Sequence, residues 1–173
     1  MIRLINRSAW PTNDLRPAIE FGMAEVRQHR PLVRVHGPLH PGKGWRRFSG
    51  VTFLGSEFLP PLLTSGLRED WSEQWDWTDV PDSELTMLPF ARKVDLYPFS
   101  PHVAHRVRYV RTVYGNLFEL KGSLDLLVIV AAHEAHHVRE AYRGVMDSEQ
   151  DADRYAAYVL DRWQRGAIRG LGR

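Results

Sequence analysis

Cysteine is absent from the 173-residue chain, which excludes disulfides, thiolate zinc sites and cysteine nucleophiles. Any metal must therefore be held by nitrogen and oxygen. Long apolar runs are also missing. The longest, Leu126 to Ala132, is far short of a membrane span. The opening Met1-Ile2-Arg3-Leu4-Ile5-Asn6-Arg7 breaks up at once and reads as no secretory signal, so a cytoplasmic chain without membrane association is expected. Net charge is only +2, which by itself argues for neither a nucleic-acid nor a membrane partner. Internal repeats and low-complexity stretches are lacking. With 43% hydrophobic and 25% charged residues, the composition is that of a folded globular chain rather than a disordered one.

The charges are unevenly placed. Between Glu25 and Glu57 no acid occurs, while Arg27, Arg30, Arg34, Lys43, Arg46 and Arg47 are basic. The segment 69–84 is then mostly acidic and carries Trp71, Trp75 and Trp77. The two stretches read either as a groove and its cover or as charges that pair across one surface. Residues 54–101, with Pro60, Pro61, Pro81, Pro89, Pro98 and Pro101, read as one long irregular excursion with a short extended piece around Val94 to Tyr97. No linker divides the chain, and a single domain over 1–173 is expected.

Asp14 to His29 spaces Leu15, Ile19, Met23 and Val26 as one helix, with Pro17 in its first turn. Leu32 to His36, Phe48 to Leu54 and His105 to Tyr114 read as strands, the last a half-exposed edge strand. Two helices follow. The first runs from an N-cap at Ser123, through a half that is apolar all round, to about Tyr142, where Gly144 stops it. The second begins with the S-x-x-D cap Ser148 to Asp151. The turn between them is short, so they should pack as antiparallel neighbours.

On the first helix lies His133-Glu134-Ala135-His136-His137, an H-E-x-x-H motif. Spacing of four puts His133 and His137 on one face a turn apart, within reach of one metal ion, with Glu134 beside them. In a chain with 8 histidines the motif arises by chance about 2% of the time. Its placement on an apolar, capped helix weighs against that, because unpaired polar groups there are costly. Twelve residues after His137 comes Glu149-Gln150-Asp151-Ala152-Asp153. Glu149 projects roughly 50° from the centre of the second helix's apolar stripe and Asp153 about 90°. Glu149 is thus the expected third ligand. If both helices are regular up to Gly144, Asp153 instead falls level with His137, and a histidine elsewhere is a further alternative. Asp153 suits the role of acceptor for the second ring N–H of a ligand histidine. His136 projects about 60° to the other side of His133 and is expected to face solvent or substrate.

The combination H-E-x-x-H…E-x-x-A-D resembles the gluzincin class of zincin metallopeptidases, over roughly residues 105–160. The resemblance implies an α+β fold: a minimal zincin-like domain with a small mixed sheet whose edge strand packs on the motif helix, followed by an antiparallel helix. It implies one zinc ion bound by His133, His137 and Glu149, with Glu134 as general base, Asp153 as the supporting acid, and a protein or peptide substrate added to the edge strand. An alternative is a SprT-like protease acting on nucleic-acid-bound proteins, suggested by the basic stretch and expecting a histidine as third ligand. A non-catalytic zinc-binding or regulatory domain is the alternative outside enzymes. His102 and His105 form a weaker candidate pair. Tyr114, Tyr142 and Tyr155 are candidates to stabilise an oxyanion.

Overall fold

Four short strands rich in β-branched residues build one sheet: β1 (Arg3–Asn6), β2 (Leu32–Val35), β3 (Ser49–Phe53) and β4 (Lys93–Tyr97). The computed structural model describes residues 2–37, 49–53, 93–112, 114–145 and 148–170. Strand order is β1-β2-β4-β3; β1, β2 and β4 run parallel, and β3 is the antiparallel edge beside β4. The fold is mixed α+β. The extended piece expected around Val94 to Tyr97 is β4, an interior strand, so the stretch read as an excursion ends inside the core. The acidic tryptophan segment 69–84 lies outside the described residues, as do Lys43, Arg46 and Arg47.

Alternation along β2 and β4 gives the sheet two different faces. Val33, Val35, Val94 and Leu96 are fully buried on one. On the other, the register partners Arg34 and Asp95 form a buried bidentate pair, Nε to Oδ1 and Nη2 to Oδ2, both at 2.7 Å. Beside them the His36 and Tyr97 rings stack at 4.7 Å. Burial, then the Asp95 charge, push the Tyr97 phenol well above its ordinary pKa.

The helix expected over Asp14 to His29 divides into α1 (Thr12–Gly22) and a 3-10 segment (Ala24–His29). Because α1 starts at Thr12, Pro17 falls in its second turn rather than its first. At Gly22 the helix meets the motif helix so closely that a Cβ would lie 2.7 Å from Ala131 Cβ. The chain tightens just past this crossing, and Val26 returns to the core.

After a single-turn helix α2 (Pro101–Ala104), β5 (Tyr109–Arg111) and β6 (Leu117–Glu119) form a separate antiparallel hairpin. The long edge strand expected over His105 to Tyr114 therefore shrinks to three residues and does not join the main sheet. Helical turn occupies its start, Gly115 (φ +88) ends it, and of the strand itself only Val110 is buried. The edge strand that packs on the motif helix is β3.

That helix, α3 (Asp125–Arg143), buries Leu126 to Ala132 completely, as an all-round apolar half requires, and Gly144 (φ +66) ends it. Ser123 is not its cap. Leu124 holds that position without a side-chain bond, and the buried Asp125 carboxylate instead accepts the Lys121 and Gly122 backbone N–H groups at 2.7 and 3.0 Å. It also accepts Trp163 Nε1–H and Gln164 Nε2–H from α4 (Glu149–Gly170). Ser148 caps α4, its Oγ accepting the Asp151 N–H at 3.1 Å. The start of α3 is thus tied to the later part of α4, and its middle to the first turns of α4, which makes the pair antiparallel. No helix among the described residues is long and apolar enough to cross a membrane.

Candidate metal centre

The two imidazoles one turn apart on α3 converge. His133 Nε2 and His137 Nε2 stand 3.1 Å apart, and the rings meet edge to face at 75°. From the first turn of α4, Glu149 closes on both: Oε2 lies 3.0 Å from His133 Nε2, and Oε1 lies 3.5 Å from His137 Nε2. Among the described residues these three side chains form the group able to hold a metal ion. The short helix connection brings Glu149 to this place even though Gly144 interrupts the helical register.

The donor set fits a cation. Ligand atoms 2.0–2.1 Å from a tetrahedral ion stand about 3.3 Å apart, close to the three separations found. Two imidazole nitrogens and a carboxylate are a donor set of the kind that holds divalent transition-metal ions. Without a shared cation or proton, lone pairs would face one another at 3.0–3.1 Å.

Asp153 orients the first ring. Its Oδ1 lies 3.0 Å from His133 Nδ1, so Nδ1–H donates to the carboxylate and Nε2 is left to face Glu149 and His137. Asp153 is 2% exposed, and its other oxygen accepts Thr112 Oγ1–H at 2.6 Å and Asn116 Nδ2–H at 2.9 Å. Sequence reasoning reached Asp153 but missed Thr112 and Asn116. Their only local signal is a Thr and an Asn flanking a glycine turn.

Charge is polarised across the site. Burial favours the neutral form of His133, but the Glu149 hydrogen bond and the nearby Glu134 charge outweigh it and raise the pKa above its ordinary value. Hydrogen bonds from His133 and His137 hold the Glu149 carboxyl far below the usual carboxylate range. Glu134 itself is 3% exposed, on the buried side of α3 next to His133.

His136 departs from expectation. It is 7% exposed rather than solvent-facing, because the face of α3 that it occupies is covered by α4 and the 3-10 segment. Its Nδ1 accepts Arg139 Nη2–H at 2.7 Å, its ring tilts against Tyr155, and Arg139 in turn reaches Glu25 at 2.7 Å. Tyr155 lies over the Arg139 guanidinium with Glu25 as its hydrogen-bond partner, Tyr142 stacks on His29, and Tyr114 is exposed. His102 and His105 sit edge to face at 5.8 Å on the surface, with His105 Nδ1 bonded to the Pro101 carbonyl, and no third ligand joins them among the described residues. No protein-family model, no characterised protein and no solved structure matches the chain.

Proposed function

We propose that the chain is a zinc-dependent peptidase in which His133, His137 and Glu149 hold one zinc ion and Glu134 is the general base. The observation that carries the reading is the meeting of two imidazole nitrogens and one carboxylate from two helices, with a buried acid fixing the tautomer of the first ring. Zinc held there supplies Lewis acidity, lowering the pKa of a water to about 7 and polarising a carbonyl. The remaining work falls to the chain. Glu134, one residue after His133 and shielded from bulk water, would take a proton from the attacking water and return it to the leaving amine. Asp153 keeps His133 in the tautomer that presents Nε2. Among the described residues β3 pairs with β4 alone, so its outer edge suits an extended peptide substrate added as a further strand.

Of the alternatives, a protease acting on nucleic-acid-bound proteins expects a third histidine and an exposed basic stretch. Here a carboxylate completes the group, and Arg34 of that stretch is buried against Asp95. The test compares zinc content and casein cleavage for the wild type and Glu134→Gln. The expected result is equal zinc in both and cleavage reduced by about 10²–10⁴-fold in the variant. Equal cleavage refutes the assignment of Glu134. Full zinc occupancy with no turnover by the wild type favours the non-catalytic domain instead.

A further inference from the structure

The hairpin β5–β6 contributes no metal ligand and stands apart from the main sheet, yet its turn reaches the centre. Thr112 and Asn116 close that turn: the Thr112 N–H donates to the Asn116 carbonyl at 2.9 Å, and the Thr112 carbonyl accepts the Gly115 N–H at 3.1 Å. Gly115 at φ +88 takes a conformation that L side chains rarely adopt, which lets so tight a turn form. Because the two residues are paired across the turn, their side chains emerge side by side. Both then donate to one oxygen of Asp153, at 2.6 and 2.9 Å.

We propose that this turn is a positioning clamp for the metal centre: Thr112 and Asn116 hold the Asp153 carboxylate in the rotamer that aims Oδ1 at His133 Nδ1. The inference rests on the metal reading above and extends it to residues three contacts removed from the ion. Asp153 is almost wholly buried, so water cannot easily replace a lost donor. With Oδ2 satisfied by two donors, Oδ1 is left to face the Nδ1–H of His133. If either donor is lost, the carboxylate keeps one restraint on Oδ2 instead of two, and His133 is held less firmly. Thr112 also sits next to Arg111 and within two residues of Tyr114, both on the exposed outside of the hairpin. The coupling is reciprocal: a clamp that tightens metal binding must itself be tightened when metal binds.

The experiment uses the full chain with Co(II) as a visible probe of tetrahedral N/O coordination and zinc by competition with a chelator. Thr112→Val removes the hydroxyl at nearly constant shape, and Thr112→Ser restores it. Partners outside the ligands are typically worth 10–100-fold in metal affinity, so Thr112→Val should bind about tenfold more weakly, Asn116→Ala similarly, and Thr112→Ser within about twofold of wild type. Metal-free circular dichroism should be the same for all four proteins. Proteolysis at the exposed Gly115 turn should slow when metal is added to the wild type and slow less in Thr112→Val. Wild-type affinity and an unchanged Co(II) spectrum in both Thr112→Val and Asn116→Ala overturn the clamp. So does an equal loss in Thr112→Val and Thr112→Ser, which would mark a packing effect. Absence of Co(II) and zinc binding by the wild type overturns the metal reading itself and the clamp with it, which keeps the two failures distinct.

Discussion

Removing Arg34 should be among the most damaging single changes outside the metal centre. Its guanidinium and the Asp95 carboxylate are 3% and 2% exposed and joined by two 2.7 Å bonds between neighbouring parallel strands. Arg34→Met keeps most of the side-chain length but removes both charge-assisted bonds to the buried Asp95 carboxylate. His36 Nε2, 3.4 Å from Oδ1, offers one longer contact in place of two at 2.7 Å. Breaking a buried pair from one side costs about 3–5 kcal/mol. At about 2–4 °C per kcal/mol for a chain of this size, Tm should fall by about 6–20 °C. Asp95→Leu strands the guanidinium and should cost a similar amount. Replacing both partners by apolar groups removes both uncompensated charges, so Arg34→Met/Asp95→Leu should be more stable than the sum of the single losses by several kcal/mol. Urea unfolding of the four proteins closes the cycle. Below its lowered Tm, Arg34→Met should match wild type in any zinc uptake, because the proposed ligands lie on α3 and α4 and not on the sheet. The reasoning is refuted if Arg34→Met melts within about 2 °C of wild type, or if the double variant loses the sum of the two singles.

Two further outcomes follow from the packing and the charges around the motif helix. Gly22→Ala places a Cβ 2.7 Å from Ala131 Cβ and 3.1 Å from Ala132 N, just before His133, so α1 must back away from α3. Overpacking of this kind costs about 1–3 kcal/mol, offset by no more than about 1 kcal/mol of helix propensity, and calorimetry should show a lower Tm. In the metal-free protein, the raised His133 pKa contributes stability that is full below the ordinary histidine value of 6.5 and is lost as pH rises through the higher folded value. The lowered Glu149 pKa contributes stability present above the ordinary 4.5 and lost as pH falls towards its folded value. Metal-free denaturation midpoints should thus gain most from this pair between about pH 4.5 and 6.5. Chelator-treated Glu149→Gln should lack that gain, and zinc uptake near pH 7 should release a proton, measurable by calorimetry in buffers of different ionisation enthalpy.

What was legible in the sequence was local. The fourfold spacing of His133 and His137, the apolar half of α3, the glycine that stops it and the Ser148 cap are decided within a turn or two of helix. Glu149 and Asp153 were legible one level further out, since a short connection between two amphipathic helices leaves few ways to pack them. The strand register was not. His105 to Tyr114 alternates arginine with apolar residues as an edge strand would, yet the edge beside α3 is β3, whose pairing with β4 spans some forty intervening residues that carry no local signature. Arg34 belongs to a run of basic residues and reads as surface charge until Asp95 is brought opposite it across two parallel strands. His136 shows the same limit on a helix. Its projection angle is correct, but which side of α3 meets solvent depends on where α4 and the 3-10 segment pack. Thr112 and Asn116 are the sharpest case. Neither has a functional signature alone, and they gain one only because a glycine turn sets them side by side against a buried carboxylate 37 to 41 residues away. In this chain the three side chains that meet between α3 and α4 were readable from spacing, and the hydrogen-bond partners behind them were readable only from the fold.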